Sequence, residues 1–440
     1  MRGILSGMVM QRNENNVCEI YIKEKIKSAT YTGASAGELK VEETQKGTRL
    51  TGMAVGGPYT VNIDGEIFED IYVGDLWMLA GQSNMEGCGE ITKEDIEAPV
   101  DEEIRAYYMQ GEWGAAKHPL CDLAKTPYKA HKKLLPEGFV KGTGNVGPGL
   151  SFAQEMKKYS GGVPQGVINA AHGGTSTTQW SPDIKNEGTD GSLYAAMVER
   201  FELNGSNVRG MFWYQGCSDT LPEDSVKFTE RTLKIFEEAR KDFGKDIPIV
   251  QVQIGPVYFC VEESRTDSWS SVKMQQYDLN EKISGIDTIT AIDKELSDCI
   301  HLTSKSQAQV GKDAAESMAH LLWPEKKDIL AAPRVKKVWV ESVDAWRNRI
   351  LVELENLHGS LTSKGRPWGF ALSSSPDTVN EDSIHRVSLE GNKAVIYTQR
   401  TIPELKERYL YYGWGRSPYC NITDEKGRAI CAFGPVKLGE

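Results

Sequence analysis

No apolar run in the 440-residue chain approaches the ~18 residues that a membrane-spanning helix requires. The opening stretch MRGILSGMVMQRNENN carries charge but lacks the apolar core of about 7–15 residues that marks a secretory leader. The expectation is therefore a cytoplasmic protein away from the membrane, or a secreted one if a leader has been trimmed. The eight cysteines include no C-x-x-C pair, so they indicate neither a zinc ribbon nor a disulfide framework, and reduced thiols are expected. Positive charge is also short: 51 Lys and Arg face 62 Asp and Glu, for a net charge of −11. A nucleic-acid partner would need the opposite balance on at least one face. The His-Glu-x-x-His spacing of a zinc hydrolase is missing, and Asp-x-x-His alone is not a metal site. No metal and no cofactor is expected. There is no internal repeat and no low-complexity tract, and nothing specifies an oligomeric state.

What remains is the composition of a soluble globular protein, with 39% apolar and 26% charged residues. Its length allows two to four domains. Residues 1–72 hold short alternating runs, Cys18–Ile22 and Tyr59–Ile63, among glycine-rich turns, and read as a β-rich segment. Between 73 and 330 the texture changes. Apolar runs of strand length occur at Leu76–Ala80, Gly166–Ala171, Val208–Tyr214, Pro248–Ile254 and Thr288–Asp293. Helical periodicities lie between and after them. Val226, Thr229, Leu233, Phe236, Ala239 and Phe243 step by three or four, and Gly244 and Pro248 end that pattern. Trp269, Val272, Leu279 and Ile283 predict a second helix, and Val310, Ala314, Met318 and Leu321 a third. Strands alternating with helices predict an α/β fold with a mostly parallel sheet covered on both faces. Residues 86–145 are rich in Lys, Glu and Gly without a clean period, and read as a loop or lid too polar to form an apolar groove. Residues 331–440 return to short strands parted by turns, a β-sandwich-like module.

Chemistry-bearing residues gather where these strands end, the edge at which open α/β sheets bind ligands. The first strand runs into Gly81-Gln82-Ser83-Asn84, the second into His172-Gly173-Gly174-Thr175, the third into Gln215-Gly216-Cys217-Ser218-Asp219, and the fifth leads to Ser297-Asp298-Cys299-Ile300-His301. A serine hydroxyl becomes a nucleophile when a base takes its proton, histidine is the usual base, and a carboxylate orients the imidazole. Asp298 and His301, three apart, fit within one tight loop. The oxyanion of a tetrahedral intermediate needs placed donors, which the N–H groups of Ser83 and Gly174 and the amide of Gln215 could supply.

GQSNM (81–85), NAAHGGT (169–175), WYQGCSD (213–219) and DCIH (298–301) resemble the four blocks of the SGNH hydrolases, and within them the sialate O-acetylesterase and acetylxylan esterase group. GGPYTV (56–61), HLTSKSQAQVGKDAA after the histidine and YLYYGW (409–414) extend the likeness over nearly the whole chain. The resemblance implies a flavodoxin-like three-layer α/β/α core with flanking β modules. It also implies removal of acetyl groups from sugar hydroxyls, such as those of sialic acid or a hemicellulose-type sugar. Ser83 would be nucleophile, His301 base and Asp298 its orienter. Three departures stand out. Cys217 occupies the place of a family glutamate, the third-block asparagine of other SGNH hydrolases is absent, leaving its role to Gln215, and Leu302 replaces a proline.

Each of these residues also has a plainer reading. Ser83 could be simple turn chemistry. His172 is the rival base or a pocket wall, and Asp219 and Asp293 are the rival carboxylates. Trp180 and Trp213 could stack on a sugar or merely pack. Arg265 could grip a substrate carboxylate or point to solvent. Cys217 reads as a structural or pocket-lining thiol. His320 reads as a satisfied structural residue, while His118, His131, His358 and His385 read as surface. At the level of function, the alternatives are a carbohydrate-binding protein without turnover and an esterase for another acyl group.

Overall fold

The computed structural model describes residues 1–139, 145–244, 246–344 and 348–439. Six parallel strands form the spine of its largest sheet: β1 (Glu66–Gly81), β2 (Ile104–Tyr107), β3 (Gln165–Asn169), β4 (Gly210–Tyr214), β5 (Ile249–Gln253) and β6 (Ile286–Thr290). They lie in the order β2-β3-β1-β4-β5-β6. Leaving out the outermost parallel strand β2, this is the flavodoxin order, in which the chain departs from β1 first to one side and then to the other. The loops after β1, β3 and β4 consequently diverge and open a crevice at their carboxyl ends. Ser83 stands two residues beyond the end of β1, at this switch point.

The helices cover the sheet on two sides. α1 (Gly149–Tyr159), α2 (Leu193–Leu203), α3 (Phe228–Phe243), α4 (Thr266–Lys282) and α5 (Ser304–Leu322) account for the long periodic segments. Along β5 the odd-numbered side chains point to α4, where Gln251 and Gln253 donate to the carbonyls of Gln276 and Lys273. α5 packs with α1, β5 and β6. Thr303 caps α5 by accepting from Ser306 N–H. The core strands are buried throughout, which is why they read as continuous apolar runs rather than alternations.

Two elements differ from the sequence reading. Residues 104–107 of the supposed lid form β2, and Trp113–Ala115 pairs antiparallel with it. Residues 140–144 of that segment lie outside the described ones. The helix expected from Val226 begins at Phe228, and its buried face is Phe228, Thr232, Ile235, Phe236, Ala239 and Phe243. Val226 itself is 75% exposed, because it sits in the turn that precedes the helix.

β modules flank the core on both sides. On the N-terminal side, Val17–Ile22, Lys40–Thr44 and Gly47–Ala54 make one small sheet, and Ala29–Gly33 and Gly56–Ile63 extend the first half of β1. On the C-terminal side, the four-stranded sheet of Arg334–Ser342, Asn348–Glu355, Lys393–Thr398 and Ile384–Glu390 shares an apolar core with the three-stranded sheet of Phe370–Ser373, Tyr409–Tyr412 and Phe433–Lys437. Met274, Tyr277 and Ile292 carry that core into the α/β unit.

Lys273 in α4 forms part of the same junction. It is wholly buried, donates to the carbonyls of Gly413 and Gly415, and burial lowers its pKa to about 7. Between pH 7 and the ordinary lysine value near ~10.4 the unfolded chain binds a proton that the folded chain does not, so this group makes stability rise with pH across that window. Lys273→Met should remove the contribution, which is limited to about 1.4 kcal/mol per pH unit. Denaturant midpoints of wild type and variant at pH 7 and pH 9 check this, and equal pH dependence in the two would refute it.

Candidate active site

The site is organised by a single turn of helix, Ser83–Glu86, which follows β1 through Gly81. Gly81 has φ +133°, and a Cβ there would meet the Tyr214 carbonyl oxygen at 2.2 Å, so only glycine lets the chain leave the sheet this closely packed. Ser83 is 8% exposed and lines a cavity of about 430 Å³ with His172, Gly173, Gly174, Cys217, Ser218 and His301.

The three residues alternating around Ser83 each tie down a different loop. Gln82 Oε1 accepts from the N–H of Gly216 at 3.0 Å, which fixes the loop after β4. Asn84 Oδ1 accepts from Leu302 N–H at 3.1 Å and from Gln307 Nε2 at 2.8 Å, which fixes the histidine loop and the start of α5. Glu86 Oε2 accepts from Gly173 N–H at 2.7 Å, which fixes the loop after β3. A Cβ on Gly173 would lie 2.9 Å from that carboxylate and 3.3 Å from Ser83 Cβ, so the glycine brings its backbone against the serine. The sequence reading quoted Asn84 beside the serine without giving it a role and placed Glu86 at the start of the supposed lid. Their signal was the spacing around Ser83, which becomes meaningful only once the three loops are seen to converge.

The histidine loop is closed by Ser297 N–H donating to the His301 carbonyl and by a bridge between Leu296 and Leu302. Asp298 Oδ1 accepts from the N–H groups of Ile300 and His301, while Oδ2 lies 2.6 Å from His301 Nδ1. One carboxylate thus holds both the backbone and the ring. Partial burial pushes the Asp298 pKa up, but the two N–H groups and the His301 ring outweigh it and hold the carboxyl below its ordinary value. With Nδ1 occupied, Nε2 is the ring nitrogen left to face the cavity. The rival carboxylates bond elsewhere. Asp219 accepts from Thr177 N–H, Thr177 Oγ1 and Gln215 Nε2, and Asp293 pairs with Lys294 at 2.8 Å.

His172 is buried against the cavity with its Nδ1 2.9 Å from that of His131, the rings stacked with centroids 5.1 Å apart. Burial lowers the pKa of both imidazoles, and the neighbouring ring lowers that of His131 further. His172 is therefore a neutral wall whose partner is another imidazole rather than a carboxylate. His131, expected at the surface, is fully buried by this pairing. His118 and His358 are half-buried, and His385 is exposed. His320 Nδ1 meets the Ile329 carbonyl.

Three expected roles are not available in this geometry. Gln215 is fully buried, and both hydrogens of its amide are spent, on the Thr175 carbonyl at 2.6 Å and on Asp219 at 2.9 Å. It braces two loops and has no donor left for an oxyanion. Trp180 is fully buried, donates to Thr175 Oγ1 and packs edge-on against Trp213, which is buried as well. Neither ring can stack on a sugar. Arg265 is bonded to Thr220 and does not line the cavity. Burial raises the Cys217 thiol to about 12, which makes it a neutral part of the wall. The N–H groups of Ser83 and Gly174 donate to no acceptor among the described residues. Among those residues no group of three or more His, Cys, Asp or Glu could hold a metal ion.

Truncating Asn84 to alanine should lower kcat roughly 10–100-fold with little change in KM, because it frees the histidine loop to drift by a fraction of an ångström. It also leaves two buried donors unsatisfied, at about 1–3 kcal/mol each. Steady-state kinetics with a thermal melt check both effects, and an unchanged kcat would remove Asn84 from the positioning frame.

This fold and crevice define an SGNH-type ester hydrolase. The model of the family described as carbohydrate esterase, sialic acid-specific acetylesterase, matches residues 73–320, more than half of the chain, and the chain belongs to that family. It is 26% identical over 283 residues to a probable carbohydrate esterase of Arabidopsis thaliana, covering 60% of this chain and 97% of that protein. Its fold is shared with the crystal structure of a carbohydrate acetylesterase from Xanthomonas citri, at a TM-score of 0.72 and 20% identity over 98% of both chains, the β modules included.

Proposed function

We infer that the protein hydrolyses O-acetyl esters on sugars through an acetyl-Ser83 intermediate. The observation that carries this reading is the Asp298–His301 contact of 2.6 Å, with His301 and Ser83 facing one cavity at the switch point of the sheet. His301 Nε2 takes the Ser83 proton as Oγ attacks the acetyl carbonyl, then returns it to the departing sugar oxygen. A water activated by the same nitrogen attacks the acetyl-serine and releases acetate. The N–H groups of Ser83 and Gly174 receive the oxyanion in both halves of the reaction. Asp298, held ionised, keeps the His301 proton on Nδ1 and stabilises the imidazolium. Enzymatic measurement of acetate released from acetylated sugars, by wild type and Ser83→Ala, together with labelling by a fluorophosphonate, tests the assignment. Turnover or labelling that survives the substitution would overturn it.

A further inference from the structure

His172 stands at the end of a buried chain that the proposed reaction does not use. The first link is Arg200, wholly buried in α2, which donates to the carbonyls of Tyr107 and Tyr108. Its guanidinium carbon lies 4.3 Å from the centre of the Tyr107 ring. Burial lowers the Arg200 pKa, but a guanidinium starts so high that it keeps its charge. The second link is His131, wholly buried, whose protonation is opposed by burial, by the His172 ring and by the Arg200 charge. The third is His172 itself, with its Nδ1 2.9 Å from His131 Nδ1.

Two neutral imidazoles that meet through their Nδ1 atoms share one proton there, borne by one ring or the other. The surroundings decide which. His131 Nε2 is enclosed and has no hydrogen-bond partner. A proton on it would be a buried donor without an acceptor, in the field of a cation, whereas a lone pair there is favoured by the same charge. His131 accordingly carries its proton on Nδ1 and donates it to His172 Nδ1. The His172 proton then belongs on Nε2, which is not enclosed as that of His131 is, and His172 lines the cavity.

We propose that Arg200 and His131 lock His172 in the tautomer with its proton on Nε2, and that this N–H donates to an oxygen of the bound acetylated sugar. The proposal rests on the esterase reading and adds a substrate contact to it. It also gives the reason that His172, the rival base, does not serve as one: its Nδ1 lone pair is occupied and its open nitrogen already bears a proton. His172 touches substrate, while His131 and Arg200 act through it as positioning residues. The backbone that carries the ring is tied down as well. His172 N–H donates to the Gly81 carbonyl, and its own carbonyl accepts from Thr175 Oγ1. An uncharged donor held in this way needs no reorganisation when substrate binds.

The test uses the full chain with its imidazole nitrogens labelled by nitrogen-15. Long-range proton–nitrogen correlation near neutral pH should show His172 with a bare Nδ1 and a protonated Nε2, and His131 with the reverse. Resonances are assigned by their loss in His172→Gln and His131→Asn. The opposite pattern, exchange between tautomers, or a cationic ring at either position would overturn the proposal. In acetate release, His172→Phe keeps a flat ring without the donor and should lower kcat/KM about 10–100-fold, the cost of leaving a buried polar partner unpaired. His172→Gln, which retains an amide N–H, should recover most of that loss. His131→Asn, whose amide can still donate to His172 Nδ1, should leave His172 protonated on Nε2, whereas His131→Leu should let both tautomers appear and be the slower of the two. Wild-type kcat/KM in His172→Phe, or equal losses in the paired variants at either position, would refute it. Tautomers are read without turnover, so if no acetylated sugar is hydrolysed the esterase reading and the substrate contact fall together, and the lock is judged by resonance alone.

Discussion

Ser83→Ala should lower kcat for acetate release by roughly 10⁴–10⁶-fold, because removal of the nucleophile leaves only the oxyanion donors and substrate binding at work. The effect should fall on kcat with KM nearly constant. The change deletes one oxygen from a residue that is 8% exposed and leaves its N–H in place, so the cavity keeps its shape. Alanine is also favourable in the helical turn Ser83–Glu86, and the far-ultraviolet dichroism should be unchanged. A loss of only tenfold would mean that another group attacks the ester. The neighbouring thiol is the obvious substitute, but burial holds Cys217 protonated, so it has little means to do so.

Asp298→Asn should cost roughly 10²–10³-fold in kcat near neutral pH. The amide oxygen can still accept from the Ile300 and His301 N–H groups, which keeps the loop closed. The amide nitrogen then faces His301 Nδ1 as a donor and forces the ring proton onto Nε2, the nitrogen that must accept from Ser83. Where the corresponding carboxylate is fully enclosed, this inversion of tautomer costs about 10⁴-fold. Asp298 is 50% exposed, and water can partly restore the working tautomer, hence the smaller figure. Asp298→Ala, which gives up the loop contacts as well, should be worse than the asparagine variant. If the asparagine variant keeps wild-type kcat, orientation by Asp298 is not part of the mechanism. The depressed pKa of Asp298 has a matching signature: loss of activity above pH ~5 on acidification should not trace to this carboxyl, which protonates below its ordinary value near ~3.9.

The strands nearest the serine were legible because each is buried on both faces, which leaves no polar alternation to confuse the reading. β2 was not, for a physical reason: its sequence is Ile-Arg-Ala-Tyr, and the Arg105 side chain, almost fully buried, is paired with Asp70 and donates to the Gly7 carbonyl, both from outside the segment. A charge satisfied from elsewhere in the fold looks like a surface charge in the sequence. Leu123, Leu134, Leu135 and Phe139 line the cavity although lysines are interspersed among them in the sequence, so the segment read as polar. Asp298 and His301 could be paired from their spacing alone, since one short loop holds both. Gln215 could not be judged that way, because its amide is consumed by Thr175 and Asp219, partners that the sequence does not connect to it.

β1 spans sixteen residues and carries a bulge at Asp70, whose φ is +57° beside a shift of register against Gly56–Ile63. Its first half belongs to the N-terminal β module and its second half to the catalytic sheet, and it passes without a break through residue 72, where the composition suggested a boundary. The accessory module and the nucleophile therefore share one uninterrupted backbone. A truncation at residue 72 would cut this strand and strip β1 of the Val9–Gln11 and Gly56–Ile63 partners that pair with it upstream of Ser83. In this chain a disturbance of the first module therefore falls on the very strand that delivers the nucleophile.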